Sequence, residues 1–116
     1  MKEGKTMKQL KLKINDKTYN LEMNRNSIKW LESNGFSIVD FENKPLTYYD
    51  LLWTSLFIKN HSDVNPNLAI KLLESYEKEH SVANVIKFAI EEYSAFMNAL
   101  ADTESKMNET LEIIEI

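Results

Sequence analysis

Between Thr47 and Asn60 the chain reads TYYDLLWTSLFIKN, and no other stretch limits its folding so severely. Wound at helical pitch, this segment spreads Tyr48, Tyr49, Leu51, Leu52, Trp53, Leu56, Phe57 and Ile58 around most of its circumference. Only Thr47, Asp50, Thr54 and Ser55, continuing to Lys59, form a polar strip. A helix this apolar must be covered on nearly every side, either by its own domain or by another protein. The other segments therefore have to be read for what they can lay against it.

Residues 1–7 (MKEGKTM) are polar and are expected to form a flexible arm. KQLKLKI and KTYNLEM then alternate apolar with polar, which predicts a hairpin presenting Leu10, Leu12 and Ile14 beside Tyr19, Leu21 and Met23 on one face. With Asn15 and Asp16 as a two-residue loop, Leu12 opposes Tyr19 and Leu10 opposes Leu21; a four-residue loop shifts the register by two but keeps the same face inward. Asn24 can cap a short first helix with Ile28 and Leu31 inward and Gly35 as its left-handed stop. FSIVDFENKP reads as a connector laying Phe36, Ile38, Val39 and Phe41 on the body, and Thr47 with Asp50 resembles a capping box for the second helix, about residues 47–60. Asn65 and Pro66 start a third helix with Ala69, Leu72, Leu73 and Tyr76 inward. Val82, Ile86, Ala89, Tyr93, Phe96 and Leu100 alternate spacings of four and three in a longer fourth helix. The fold class expected is α+β, an N-terminal β-hairpin followed by a bundle of about four α-helices. Residues 8–101 form one domain, and 102–116 form a C-terminal tail that is either docked or held by a partner.

Composition narrows the function. A net charge of −4 over 116 residues repels phosphate backbones, so nucleic acid is not the expected partner. A helix-turn-helix reading fails because Glu74, Glu77 and Glu79 load the reading helix with negative charge. Zero cysteines exclude a disulfide framework or a thiolate metal site, and no apolar run reaches membrane-spanning length, so a cytoplasmic protein with no membrane partner is expected. Two glycines are too few for a phosphate or dinucleotide cradle, and no cofactor is expected. The lysines at 2, 5, 8, 11 and 13 suit an exposed strand protected against edge pairing.

His61, Ser62 and Asp63 are adjacent, and adjacent side chains project apart, so they cannot act as a catalytic triad. They read as the polar end of the second helix, and His61 and His80 read as solvent-facing loop histidines. No histidine pair stands at metal-binding helical spacing, and no metal site is expected. An enzyme is not expected.

The order of IND-KTYNLEMN, SIKWLESNG, YYDLLWTSLFIKN, NPNLAIKLLESY and a final long helix resembles the tail assembly chaperones of long-tailed phages of Gram-positive bacteria. Ile14, Asn15, Lys17 and Tyr19 match that family's hairpin pattern, Leu31, Glu32 and Gly35 its first helix, and Leu51, Leu52, Trp53 and Leu56 its second. Asp16 stands where a turn glycine is usual. The resemblance covers about residues 8–100. It implies a non-enzymatic factor that coats the tape measure protein, keeps it soluble until the tail tube polymerises, and is absent from the mature virion. Self-association accompanies such a role. An apolar groove for a helix of the client suits the aromatic surplus, with Trp53, Tyr49, Phe57 and Ile58 as first partner contacts, then Trp30 and the tail residues Ile113, Ile114 and Ile116. The alternative is a small regulatory or inhibitory module gripping one folded partner one-to-one.

Overall fold

A computed structural model of the chain describes residues 9–115, with side chains through Ala101. It is an α+β fold, a two-stranded antiparallel hairpin followed by helices. The predicted arm, residues 1–7, lies outside the described residues.

Strand β1 (Leu10–Ile14) pairs with β2 (Lys17–Leu21) in the two-residue-loop register, Leu12 opposite Tyr19 and Leu10 opposite Leu21. Asn15 and Asp16 have φ of 52° and 67°, the left-handed pair that a type I′ turn requires. The hairpin's inner face buries Ile14, Tyr19 and Leu21, while Lys11 and Lys13 stay exposed.

Helix α1 (Arg25–Ser33) starts where expected: the Ser27 amide donates to Asn24 Oδ1 at 2.9 Å, and the Asn24 amide donates to Ser27 Oγ at 3.1 Å. This reciprocal cap satisfies the Ser27 hydroxyl, which is fully buried beside Ile28 and Leu31. At the other end Gly35 (φ 82°) turns the chain so that the Phe36 amide reaches Leu31 O at 3.0 Å.

The connector is a 3₁₀ segment, Ile38–Asn43. With three residues per turn it cannot face all its apolar residues inward. Phe36 and Phe41 pack on the core's rim, but Ile38 is 38% and Val39 92% exposed, which corrects the expectation that both lie against the body.

Helix α2 (Pro45–Ser55) begins two residues earlier than expected and ends about five earlier, and it has no side-chain cap, since Pro45 at the first turn makes Lys44 the cap residue and leaves Thr47 exposed inside the helix. It is the axis of the molecule, packed against α1, the 3₁₀ segment, α3 (Pro66–Glu77) and α4 (Ala83–Glu115). Leu52, Trp53 and Leu56 are wholly buried and Phe57 nearly so. The chain's own elements thus cover α2, including Thr54 and Ser55 of its polar strip. Ser55 Oγ satisfies itself by donating to Leu52 O at 2.7 Å.

Helix α3 is capped by Asn65, whose Oδ1 accepts from the Leu68 amide at 2.8 Å, and it buries Ala69, Leu72 and Leu73. The fourth helix does not stop near Leu100. It runs unbroken through Glu115, 33 residues or about 50 Å at 1.5 Å per residue.

Candidate functional site

The chain leaves α2 at Ser55 and turns through residues 56–60, and the side chains of Lys59, Asn60 and His61 fasten the outer edge of β2 and Glu22 just beyond it. In a two-stranded hairpin the strand amides that face away from the partner strand need other partners. Asn20 has both of its backbone groups satisfied by this turn: its amide donates to His61 Nε2 at 3.0 Å and its carbonyl accepts from Asn60 Nδ2 at 3.1 Å. The next residue but one, Glu22, donates its amide to Leu56 O at 3.1 Å. Its carboxylate is 2% exposed, paired with the Lys59 ammonium and accepting from Gln9 Nε2 at 2.9 Å.

Lys59, Asn60 and His61 are therefore a clasp for the hairpin. Burial alone would raise the Glu22 carboxyl, but the hydrogen bonds from Lys59, Gln9 and Asn60 outweigh it and hold Glu22 below the usual glutamate range. His61 is partly buried with its ring edge-on to Tyr19 (5.0 Å) and Phe57 (6.1 Å), which corrects its expected solvent-facing position. Its Nε2 lone pair is occupied by the Asn20 amide, so that nitrogen is available neither as a base nor as a metal ligand. His80, by contrast, is exposed and stacked on Tyr76 at 4.8 Å. Among the described residues no three His, Asp or Glu side chains converge to hold a metal ion. Ser62 and Asp63 are exposed in the turn that follows.

A second electrostatic feature lies across α2 and α3. Desolvation, then the charges of Glu77 and Glu74, push the Asp50 carboxyl above the usual aspartate range. Among the described residues no lysine or arginine forms an ion pair with it.

The apolar residues expected to meet a partner fall into three groups. Trp53 and Phe57 are core: Trp53 is 0% exposed with its indole Nε1 donating to Ala69 O at 2.8 Å, and Phe57 is 1% exposed against Trp53 and Tyr19. This corrects their assignment as partner contacts, because α3 closes over Trp53 and the hairpin's Tyr19 over Phe57 in the turn after α2. Tyr49, Ile58 and Trp30 are half-buried and retain an accessible edge. Ile113 and Ile114 belong to the part of α4 whose side chains are outside those described, and Ile116 lies outside the described residues.

The sequence reading missed the apolar surface that is open. Val39 and Leu46 are 92% and 72% exposed, and Ile38 is 38% exposed. Leu46 and Tyr49 are three residues apart on one face of α2, and Tyr49 packs on Phe41 of the 3₁₀ segment at 5.6 Å. Asp40 anchors the same segment by accepting from Tyr48 OH (3.0 Å) and Asn43 Nδ2 (2.6 Å). Open aliphatic groups on a tethered scaffold are suited to contact with another protein.

No helix among the described residues is long and apolar enough to cross a membrane. No curated protein and no solved structure matches the chain. The model of one family, described as a domain of unknown function (DUF5055), matches residues 6–114, almost the whole length, and the chain belongs to that family.

Proposed function

We propose that this protein is a non-enzymatic phage tail assembly chaperone that binds the tape measure protein and keeps it soluble in the host cytoplasm until the tail tube polymerises. The order of hairpin, glycine-stopped short helix, Leu-Leu-Trp helix and paired C-terminal helices supports the reading, since it is the order of that family's motifs. The observation that carries it is the open apolar collar at the head of α2, Val39 and Leu46 with Ile38 and the edge of Tyr49.

The collar, rather than the buried Trp53 and Phe57, is the surface on which the client's apolar helix would rest. Burying a valine or leucine side chain contributes about 2 kcal/mol. A few such contacts, less the cost of ordering the client, give a modest affinity per copy. Modest affinity is what a shield requires if it is to be displaced by tube subunits, with many copies along one client supplying the total.

The test is co-expression with the large helix-rich tape measure protein of the same phage or prophage. The expected result is that the client moves from the pellet to the supernatant in a complex holding several copies of this chain per client. A client equally soluble without this chain would overturn the assignment. A strict one-to-one complex with a folded partner would instead favour a regulatory module.

A further inference from the structure

The two edges of the hairpin have different fates. In its register Leu10 with Leu21, Leu12 with Tyr19 and Ile14 with Lys17 exchange the ladder hydrogen bonds, so the amides and carbonyls of Lys11 and Lys13 point away from β2. Those of Asn20, opposite Lys11, point away from β1 in the same manner. On β2 that outward edge is closed, with Asn20 held by His61 and Asn60 and the Glu22 amide bonded to Leu56 just beyond the strand. On β1 it is open. The sheet has two strands, and among the described residues no hydrogen bond reaches the outward backbone groups of Lys11 or Lys13.

The side chains along this edge say what would suit it. Lys11 and Lys13 are exposed on the hairpin's outer face. On the inner face the cover thins away from the turn: Ile14 is buried, whereas Leu12 and Leu10 are only partly buried against the core. An extended segment laid along β1 would meet two sets of backbone donors and acceptors about 7 Å apart, with two ammonium groups on one face and the flanks of two leucines on the other.

We propose that the outer edge of β1 takes up an extended acidic segment of another protein as a third strand. Its carboxylates would lie beside Lys11 and Lys13, and its alternate apolar residues beside Leu10 and Leu12. Lysines on an edge repel a like strand, and here they choose between partners. A second copy of β1 would set Lys11 and Lys13 against the same lysines, and the chain's own first eight residues hold Lys2, Lys5 and Lys8 against Glu3 alone. Both rivals carry the wrong charge. This edge is distinct from the collar at Val39 and Leu46, and its occupancy does not depend on the chaperone reading.

The experiment titrates the isotope-labelled full chain with two synthetic peptides of about seven residues, one alternating valine with glutamate and the other valine with lysine. The glutamate peptide is expected to bind at least about tenfold more tightly than the lysine peptide. It is also expected to slow hydrogen exchange at the Lys11 and Lys13 amides by about tenfold or more, while the Asn20 amide, already bonded to His61, changes little. Methylating one alternate set of the peptide's backbone nitrogens is expected to abolish binding and methylating the other set to spare it, because only one set faces β1. The K11E/K13E variant, changed at two exposed positions, is expected to reverse the preference. Equal binding of the two peptides, no binding of either, unchanged exchange at Lys11 and Lys13, indifference to both methylations or an unreversed preference would overturn the proposal. So would slow exchange of both amides in the free monomer, which would put the chain's own residues on the edge. A concentration-dependent dimer that protects the same two amides would overturn it as well, by making a second copy the occupant.

Discussion

Asp16 holds a backbone conformation that its side chain disfavours. Its φ of 67° is the second left-handed residue of the hairpin turn, the position where glycine carries no Cβ penalty. Asp16→Gly is expected to stabilise the fold by about 0.5–1 kcal/mol, seen as a higher urea midpoint with an unchanged slope. Gly35 is the mirror case. A Cβ there would meet nothing within 4 Å, so Gly35→Ala is expected to cost about 1 kcal/mol through its φ of 82° alone, with no packing term. Glu22 shows what residue-level reading cannot reach. In KTYNLEM the alternation turns Glu22 away from Leu21 and Met23, which reads as solvent, yet it is 2% exposed because the turn from Leu56 to Asn60 covers that side. Removing its cation leaves a buried carboxylate held only by Gln9 and Asn60, so Lys59→Met is expected to cost about 3 kcal/mol. Because the folded Glu22 carboxyl lies below its unfolded value, its contribution is present above the ordinary glutamate range and is lost as pH falls through the folded value. Glu22→Gln is expected to flatten that acid-side loss in denaturation curves taken between about pH 3 and pH 6.

Among the elements, α2 decides the fold because α1, the 3₁₀ segment, α3 and α4 all pack against it. Its all-round apolarity was legible in TYYDLLWTSLFIKN, and so was the need for a cover. The sequence did not show that the chain itself provides that cover, because how many flanks four neighbours can reach depends on their packing, not on any local pattern. The hairpin face, the Asn24 and Asn65 caps and the Gly35 stop were legible for the opposite reason: each is set by contacts within a few residues. The end of α2 at Ser55 was not, since the clasp that bends the chain there uses partners about 40 residues away. Asp50 marks a local cost of the arrangement. Facing Glu74 and Glu77 on α3, it has a folded carboxyl above its unfolded value. Its protonated form is favoured on folding, so that contribution is complete below the unfolded value and disappears as pH rises through the folded one. Asp50→Asn is therefore expected to raise stability at pH 7 by at most about 1 kcal/mol after solvent screening, with less gain in high salt and none near pH 3.

At the scale of the whole molecule, the sequence suggested more apolar surface than so short a chain can hide. The fold hides most of it. Among the described residues the large hydrophobic side chains left open are Ile38, Val39, Leu46, Leu68 and Leu100, and none of these was singled out as a partner contact. The 3₁₀ segment explains two of them, because at three residues per turn it has too few positions facing the core to absorb both Ile38 and Val39; Leu46 follows one residue after Pro45 starts the helix. The molecule measures 61 Å along its longest axis and 24 Å along its shortest, so the open groups at the head of α2 do not share one compact face with Leu100 of α4. Such surface has no stabilising role in the free chain. Substituting it should separate folding from function, which a core substitution such as Trp53→Ala, costing about 3–5 kcal/mol, cannot do. The double variant Val39→Ser/Leu46→Ser is expected to keep its urea midpoint within the equivalent of about 0.5 kcal/mol while solubilising less tape measure protein in co-expression. A midpoint that drops sharply would place these side chains in the fold's own stability. An unchanged midpoint with undiminished client solubility would move the contact surface away from the collar.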